Sequence, residues 1–380
     1  MEFTDQIIQE RKVDISETWL WEAYPDAFRK LLIDHSTQKN IIWATNSYED
    51  IGDGYRFKDE ITPEKIIGEH GQLIRPRALK DRDEQIRRVK DKAEVFTPSW
   101  ICNAQNNLID EAWFGRANVF NEEITLEDGS HTWIPSEGEI EFSDEKGKTW
   151  KDYVRDMRLE ITCGEAPYLV SRYDAVSGEP ISDLKMRVGL LDRKLRVVSE
   201  NTETSGDWID WAKTALECTY GYEWQGDNLL LAREALMLTV LDYYRAKFCK
   251  EMPKQSIPGL AYIISWNLFQ MDGLKYVIPC SCETVTPEDA CKRISEIRME
   301  KESKEIGNSL FSAEEIPIAE INVRISENGY AICEACSTGK GDHIGLPVKI
   351  RDWKAFHNSA NKKNKGVTDV LFRSLINTQR

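Results

Sequence analysis

The 380 residues contain no run of about eighteen consecutive apolar side chains, which excludes an ordinary membrane-spanning helix. The opening Met-Glu-Phe-Thr-Asp lacks the basic start of a secretory signal, so a cytoplasmic protein is expected. There is no Gly-x-x-x-x-Gly-Lys-Ser/Thr loop, which argues against a nucleotide-driven motor. An excess of positive charge is also lacking. The net charge is −15, and a polyanion is bound by neutralising its phosphates, so any nucleic-acid contact must be local or shared with a partner. Internal repeats are absent, and the only biased run is the short Asn361–Lys365 segment.

What is present is ordinary globular composition, 41% hydrophobic and 30% charged, in a length that suits about two domains. The nine cysteines are odd in number and scattered, which points to reduced thiols or a metal site rather than a disulfide framework. Between Arg75 and Lys92 eight basic residues stand against four acidic ones. That segment is a candidate DNA contact through Arg75, Arg77, Arg87 and Arg88. A solvated, salt-bridged helix face is the other reading.

Periodicity predicts helices over 15–33 and 83–95, and another from Pro98 to Phe114, where Trp100, Ala104, Leu108 and Ala112 recur every fourth residue beside Ile101. The acidic stretch 121–148, punctuated by glycines, reads as a surface loop or hairpin insertion. A strand is expected from Arg158 to Gly164, with a helical pattern from Val170 onward. A second strand is expected over Thr219–Trp224, with a long helix over Asp227–Tyr244, and a third strand over Leu260–Phe269. Asp192-Arg-Lys194 is close to a nuclease composition but sits in a segment read as an amphipathic helix face. A charged helix is expected near 290–304. Strands alternating with helices imply an α/β fold with a mostly parallel, doubly wound sheet and right-handed crossovers. In such a sheet the turns after the strands face one crevice.

Those turns carry a resemblance. Glu160-Ile-Thr-Cys-Gly-Glu-Ala166 resembles the Asp-Pro-Ala-Cys-Gly-Ser-Gly turn of adenine-specific DNA methyltransferases, with Glu160 in place of Asp, Ile161 and Thr162 in place of Pro and Ala, and Ala166 in place of the second glycine. Glu223, in Tyr-Gly-Tyr-Glu-Trp, is similar to the family's second motif, whose acidic residue accepts hydrogen bonds from ribose hydroxyls. Trp266–Leu274 resembles the third, and its Asp272 would accept from the adenine amino group. Upstream, Phe96-Thr97-Pro98 is similar to the element whose aromatic ring and threonine lie near the cofactor. The resemblance spans roughly 94–274, and a looser one links the whole chain to restriction endonuclease subunit M proteins. It implies a Rossmann-like methyltransferase domain over 94–279, between an N-terminal mixed region (1–93) and a C-terminal extension (280–380). It also implies S-adenosylmethionine bound by Phe96, Thr97, Glu160, Gly164, Glu223 and Asp272, and a modification subunit of a restriction-modification system that methylates adenine N6 in DNA, alone or with a partner subunit.

One family element is missing. The amino group of a flipped adenine is held by Asn/Asp/Ser-Pro-Pro-Tyr/Phe/Trp, yet this chain has no Pro-Pro pair, and none of its thirteen prolines follows Asn, Asp or Ser. No catalytic residue is assignable from the sequence. Another residue set or a partner chain would have to take that role; the alternative is a catalytically inactive methyltransferase-fold protein serving as a DNA-binding module or scaffold. Finally, Cys280-Ser-Cys282 and Cys333-Glu-Ala-Cys336, with His343 beyond them, can be drawn as a zinc site, against ordinary buried thiols.

Overall fold

The computed structural model describes residues 16–80, 82–92, 97–143, 145–284, 343–360, 368–372 and 375. The chain forms two compact units, Met1–Phe269 and Gln270–Arg380. The first takes in both regions that the sequence reading separated at residue 93, and the boundary falls ten residues before 279.

In the first unit the helical segment near the N-terminus is two helices, α1 (Glu17–Ala23) and α2 (Pro25–Leu32). Pro25 causes the break. A proline fits the first turn of a helix but disfavours helical geometry in the residue before it, and Tyr24 sits at φ −142°, ψ 58°. Ser16 caps α1 by accepting from the Trp19 amide. Then follow α3 (Arg82–Lys92) and α4 (Ser99–Phe114), and a hairpin of β1 (Asn121–Thr125) and β2 (His131–Pro135), which agrees with the insertion expected there.

After the short α5 (Trp150–Arg155), strand β3 (Arg158–Glu160) enters the sheet. The helical pattern expected from Val170 begins only at α6 (Leu190–Asn201), followed by α7 (Ser205–Glu217). Strand β4 (Thr219–Glu223) then leads into α8 (Gly226–Phe248), which is buried along most of its length. Next come α9 (Ile257–Asn267) and β5 (Leu268–Gln270). The sheet is three-stranded and parallel in the order β3-β4-β5, with Arg158 opposite Thr219 and Glu160 opposite Gly221. The fold is therefore mixed α/β around a small parallel sheet.

The expected third strand is corrected. Leu260–Asn267 is helix, and only Leu268–Gln270 is strand. A short apolar run of this kind has the same pattern in a buried strand and a buried helix, and here Pro258 in the first turn and burial around the helix favour the latter. Arg233 of α8 sets the junction. Its buried guanidinium donates to the carbonyls of Ser265 (3.1 Å) and Leu268 (2.7 Å) at the end of α9, and to Ile33 (3.0 Å) and Leu31 at the end of α2. A cation at two helix C-termini meets the orphan carbonyls and the negative dipole ends together.

The second unit contains a two-residue pairing of 283–284 with 343–344 and a hairpin of Lys349–Arg351 with Asp369–Leu371. The helix expected near 290–304 lies outside the described residues. Among the described residues no helix is long and apolar enough to cross a membrane.

Candidate functional site

The sheet's C-terminal edge gathers four of the six residues that the resemblance assigns to the cofactor, Thr97, Glu160, Gly164 and Glu223. After β3 the chain extends the pairing once more, the Cys163 amide donating to the Tyr222 carbonyl at 2.8 Å. Around that contact the turn holds three left-handed residues, Thr162 (φ 47°), Gly164 (φ 54°) and Ala166 (φ 62°). Glycine adopts this region freely, whereas Thr162 and Ala166 hold it at a cost of order 1 kcal/mol each. The turn is tightened by the bare Gly221 on β4, where a Cβ would come within 3.2 Å of the Cys163 sulfur.

Two buried carboxylates fix the turn. Glu223, at the end of β4, accepts from the Gly164 amide at 2.8 Å and from the Gln225 amide at 3.1 Å. Glu160, at the end of β3, accepts from the Tyr168 and Leu169 amides at 3.4 and 3.2 Å. Burial raises both carboxyl groups above the ordinary range against the pull of those amides; the neighbouring Glu223 adds to the rise at Glu160, and Asp227 to that at Glu223. A third, Glu165, accepts from the Arg77 amide at 2.6 Å and from the Tyr173 hydroxyl, so the two acidic neighbours of Gly164 in space and sequence are both engaged by the chain itself.

Helix α4 brings Thr97 to this edge. Its Asn106 amide donates to the carbonyls of Tyr168 and Val188, both at 3.0 Å. At its start, the Ser99 amide donates to Asp174 at 2.7 Å. Thr97, two residues earlier, is hydrogen-bonded to the Tyr168 side chain. Thr97, Glu160, Gly164 and Glu223 are thus neighbours through Tyr168 and the turn. Phe96 lies outside the described residues. Asp272, in the second unit, organises its own turn, accepting from the Leu274 and Lys275 amides at 2.9 and 3.1 Å, with the Lys275 ammonium 3.7 Å away.

The basic segment is rearranged relative to a DNA-facing patch. Arg88 is fully buried: its guanidinium donates to Asp227 at 2.7 Å in the first turn of α8, and Tyr48 donates to the same oxygen at 2.7 Å. Lys80 is also buried, its ammonium 4.0 Å from that oxygen. An isolated Asp227 would be too costly to bury, and the pairing explains why two cations turn inward. Arg88 therefore offers nothing to an outside phosphate. Arg75 and Arg77 are half-buried, and the side chain of Arg87 lies outside the described residues.

Asp192, Arg193 and Lys194 are likewise interior rather than a helix face. Asp192 accepts from the Ser171 amide at 2.8 Å, Arg193 pairs with Asp110 at 2.6 Å, and Lys194 donates to the carbonyls of Asp156 (2.6 Å) and Cys218 (2.8 Å). Burial pulls the Lys194 amine down to about 7. Asp227 and Arg193 were missed as structural centres because their partners lie far off in sequence, and a single chain offers no local signal for such pairs. Cys282 is buried and Cys280 partly exposed, while Cys333, Cys336 and the His343 side chain lie outside the described residues. Among the described residues no group of three or more His, Cys, Asp or Glu is arranged to hold a metal ion.

Comparison of the chain with protein-family models, curated proteins and solved structures gives no match, so the site rests on its own geometry.

Proposed function

We propose that the chain is the S-adenosylmethionine-binding modification subunit of a restriction-modification system, directed at adenine N6 in DNA and completed by a partner subunit. The observation that carries this reading is the Glu223 carboxylate at the end of β4, held 2.8 Å from the amide of Gly164 in the left-handed turn after the adjacent parallel strand β3. A ligand beyond the strand ends of an α/β sheet needs a backbone it can approach closely and an acceptor for ribose hydroxyls.

The residues present fit the cofactor's chemistry. Gly164 has no side chain to obstruct approach, and Glu223 accepts from the amides of Gly164, Trp224 and Gln225, which leaves one of about four acceptor positions for a hydroxyl donor. Thr97, hydrogen-bonded to Tyr168, would hold the methionine half of the cofactor with its hydroxyl. The bound cofactor would supply an electrophilic methyl group; the chain's own residues bind and orient it. With no Pro-Pro motif here, the groups that grip the target amine are assigned to the partner.

The test is a methyl-transfer assay. The protein, purified alone and with co-purifying partners, is incubated with methyl-labelled S-adenosylmethionine and duplex DNA, and N6-methyladenine is quantified. Label that needs a co-purifying chain and is lost in Glu223→Ala supports the reading. Cofactor binding without transfer in any preparation favours the inactive scaffold, whose specific support is the missing motif.

A further inference from the structure

The four-residue stripe on α4 faces out rather than in. Leu108 is 66% exposed, Trp100 and Ile109 each 38%, and Ala112 is exposed, while Cys102, Asn103, Asn106 and Asp110 are buried. The polar side is not buried by accident. Asn103 and Asn121 exchange paired amide hydrogen bonds at 2.8 and 2.9 Å, and Asp110 accepts from Tyr153 at 2.9 Å and from Arg193 at 2.6 Å. Arg193 also donates to Asn103 and Asn107 at 2.8 Å. Rotating α4 to hide Leu108 would break this network and strand buried charges, so the apolar side faces outward, uncovered among the described residues.

The surroundings say what kind of molecule fits it. At one end of the stripe Trp100 stacks on His131 of β2 at 4.2 Å. Glu123 of β1 is held beside the stripe by the Asn107 amide at 2.7 Å, Glu111 rises from α4 itself, and Glu127 and Asp128 stand at the exposed hairpin tip. An apolar strip rimmed by acids repels nucleic acid and a second copy of this −15 chain, and complements an amphipathic helix with basic flanks. We propose that the outward face of α4 is a docking surface for a basic amphipathic helix of a partner protein, packed against Trp100, Leu108 and Ile109. This surface stands independently of the cofactor reading.

The probe is a labelled eighteen-residue leucine/lysine peptide of helical spacing, followed by anisotropy, with its leucine/glutamate counterpart as control. The full chain is expected to bind the first and not the second. Leu108→Ser, at the most exposed position of the stripe and clear of the underside network, should weaken binding tenfold or more at unchanged melting temperature. Glu111→Lys with Glu123→Lys should weaken it as well, an effect that shrinks as salt rises. Equal binding by all variants, or equal binding of the glutamate peptide, overturns the proposal. So does a wild-type dimer in sedimentation that Leu108→Ser dissociates, which would assign the face to a second copy.

Discussion

Glu223 accepts a hydrogen bond from the backbone of Gly164, 59 residues earlier, and so ties the end of one parallel strand to the turn that leaves its neighbour. The contact depends on Gly164 holding φ 54°. A side chain there is strained by about 1–2 kcal/mol on backbone grounds, and more if branched. Gly164→Ala is expected to lower stability by about 1 kcal/mol, and Gly164→Val by more, each with weaker S-adenosylmethionine binding. Urea unfolding and calorimetry check both, and a Val variant as stable as wild type would contradict the turn geometry.

The buried Arg88–Asp227 pair gives a sharper expectation. Removing one partner of a buried ion pair leaves an uncompensated charge and typically costs about 3–5 kcal/mol. Arg88→Met should therefore destabilise the fold strongly, whereas Arg88→Met combined with Asp227→Asn should recover part of the loss. A surface arginine would show neither effect, and its substitution would instead change the salt dependence of DNA binding.

Lys194 makes stability depend on alkaline pH. Its folded pKa is about 7 against an ordinary 10.5, with burial the cause. Between those values the unfolded chain holds a proton that the folded chain lacks, so stability rises with pH across this window and is level below it. Relative to Lys194→Met, the wild type should gain about 3 kcal/mol between pH 7 and 9.5, from roughly 1.4 kcal/mol per unit. Parallel unfolding curves for the two proteins would show that Lys194 stays charged inside.

Much of this architecture was readable in advance, and the rest was not for identifiable reasons. The β3 and β4 strands, the turn at Gly164 and the long α8 follow from local signals: a β-favouring run, a glycine, an apolar helix. Leu260–Asn267 misled because a short apolar run does not declare its period. The stripe from Trp100 to Ala112 misled differently. Its spacing correctly indicated a helix, but the side that faces inward was decided by Asn121, Tyr153 and Arg193, whose positions no local pattern reveals. The inward turn of Arg88 has the same origin, since Asp227 lies 139 residues away.

The proposed cofactor site at the ends of β3 and β4 is probed most directly by calorimetric titration with S-adenosylmethionine. The wild type should bind saturably, and more tightly as pH rises and the raised Glu223 carboxyl ionises. Glu223→Gln should weaken binding at least tenfold, or about 1.4 kcal/mol, and remove that pH dependence while the far-ultraviolet spectrum is unchanged. No saturable binding by the wild type, or equal binding by a folded Glu223→Gln variant, would contradict the claim.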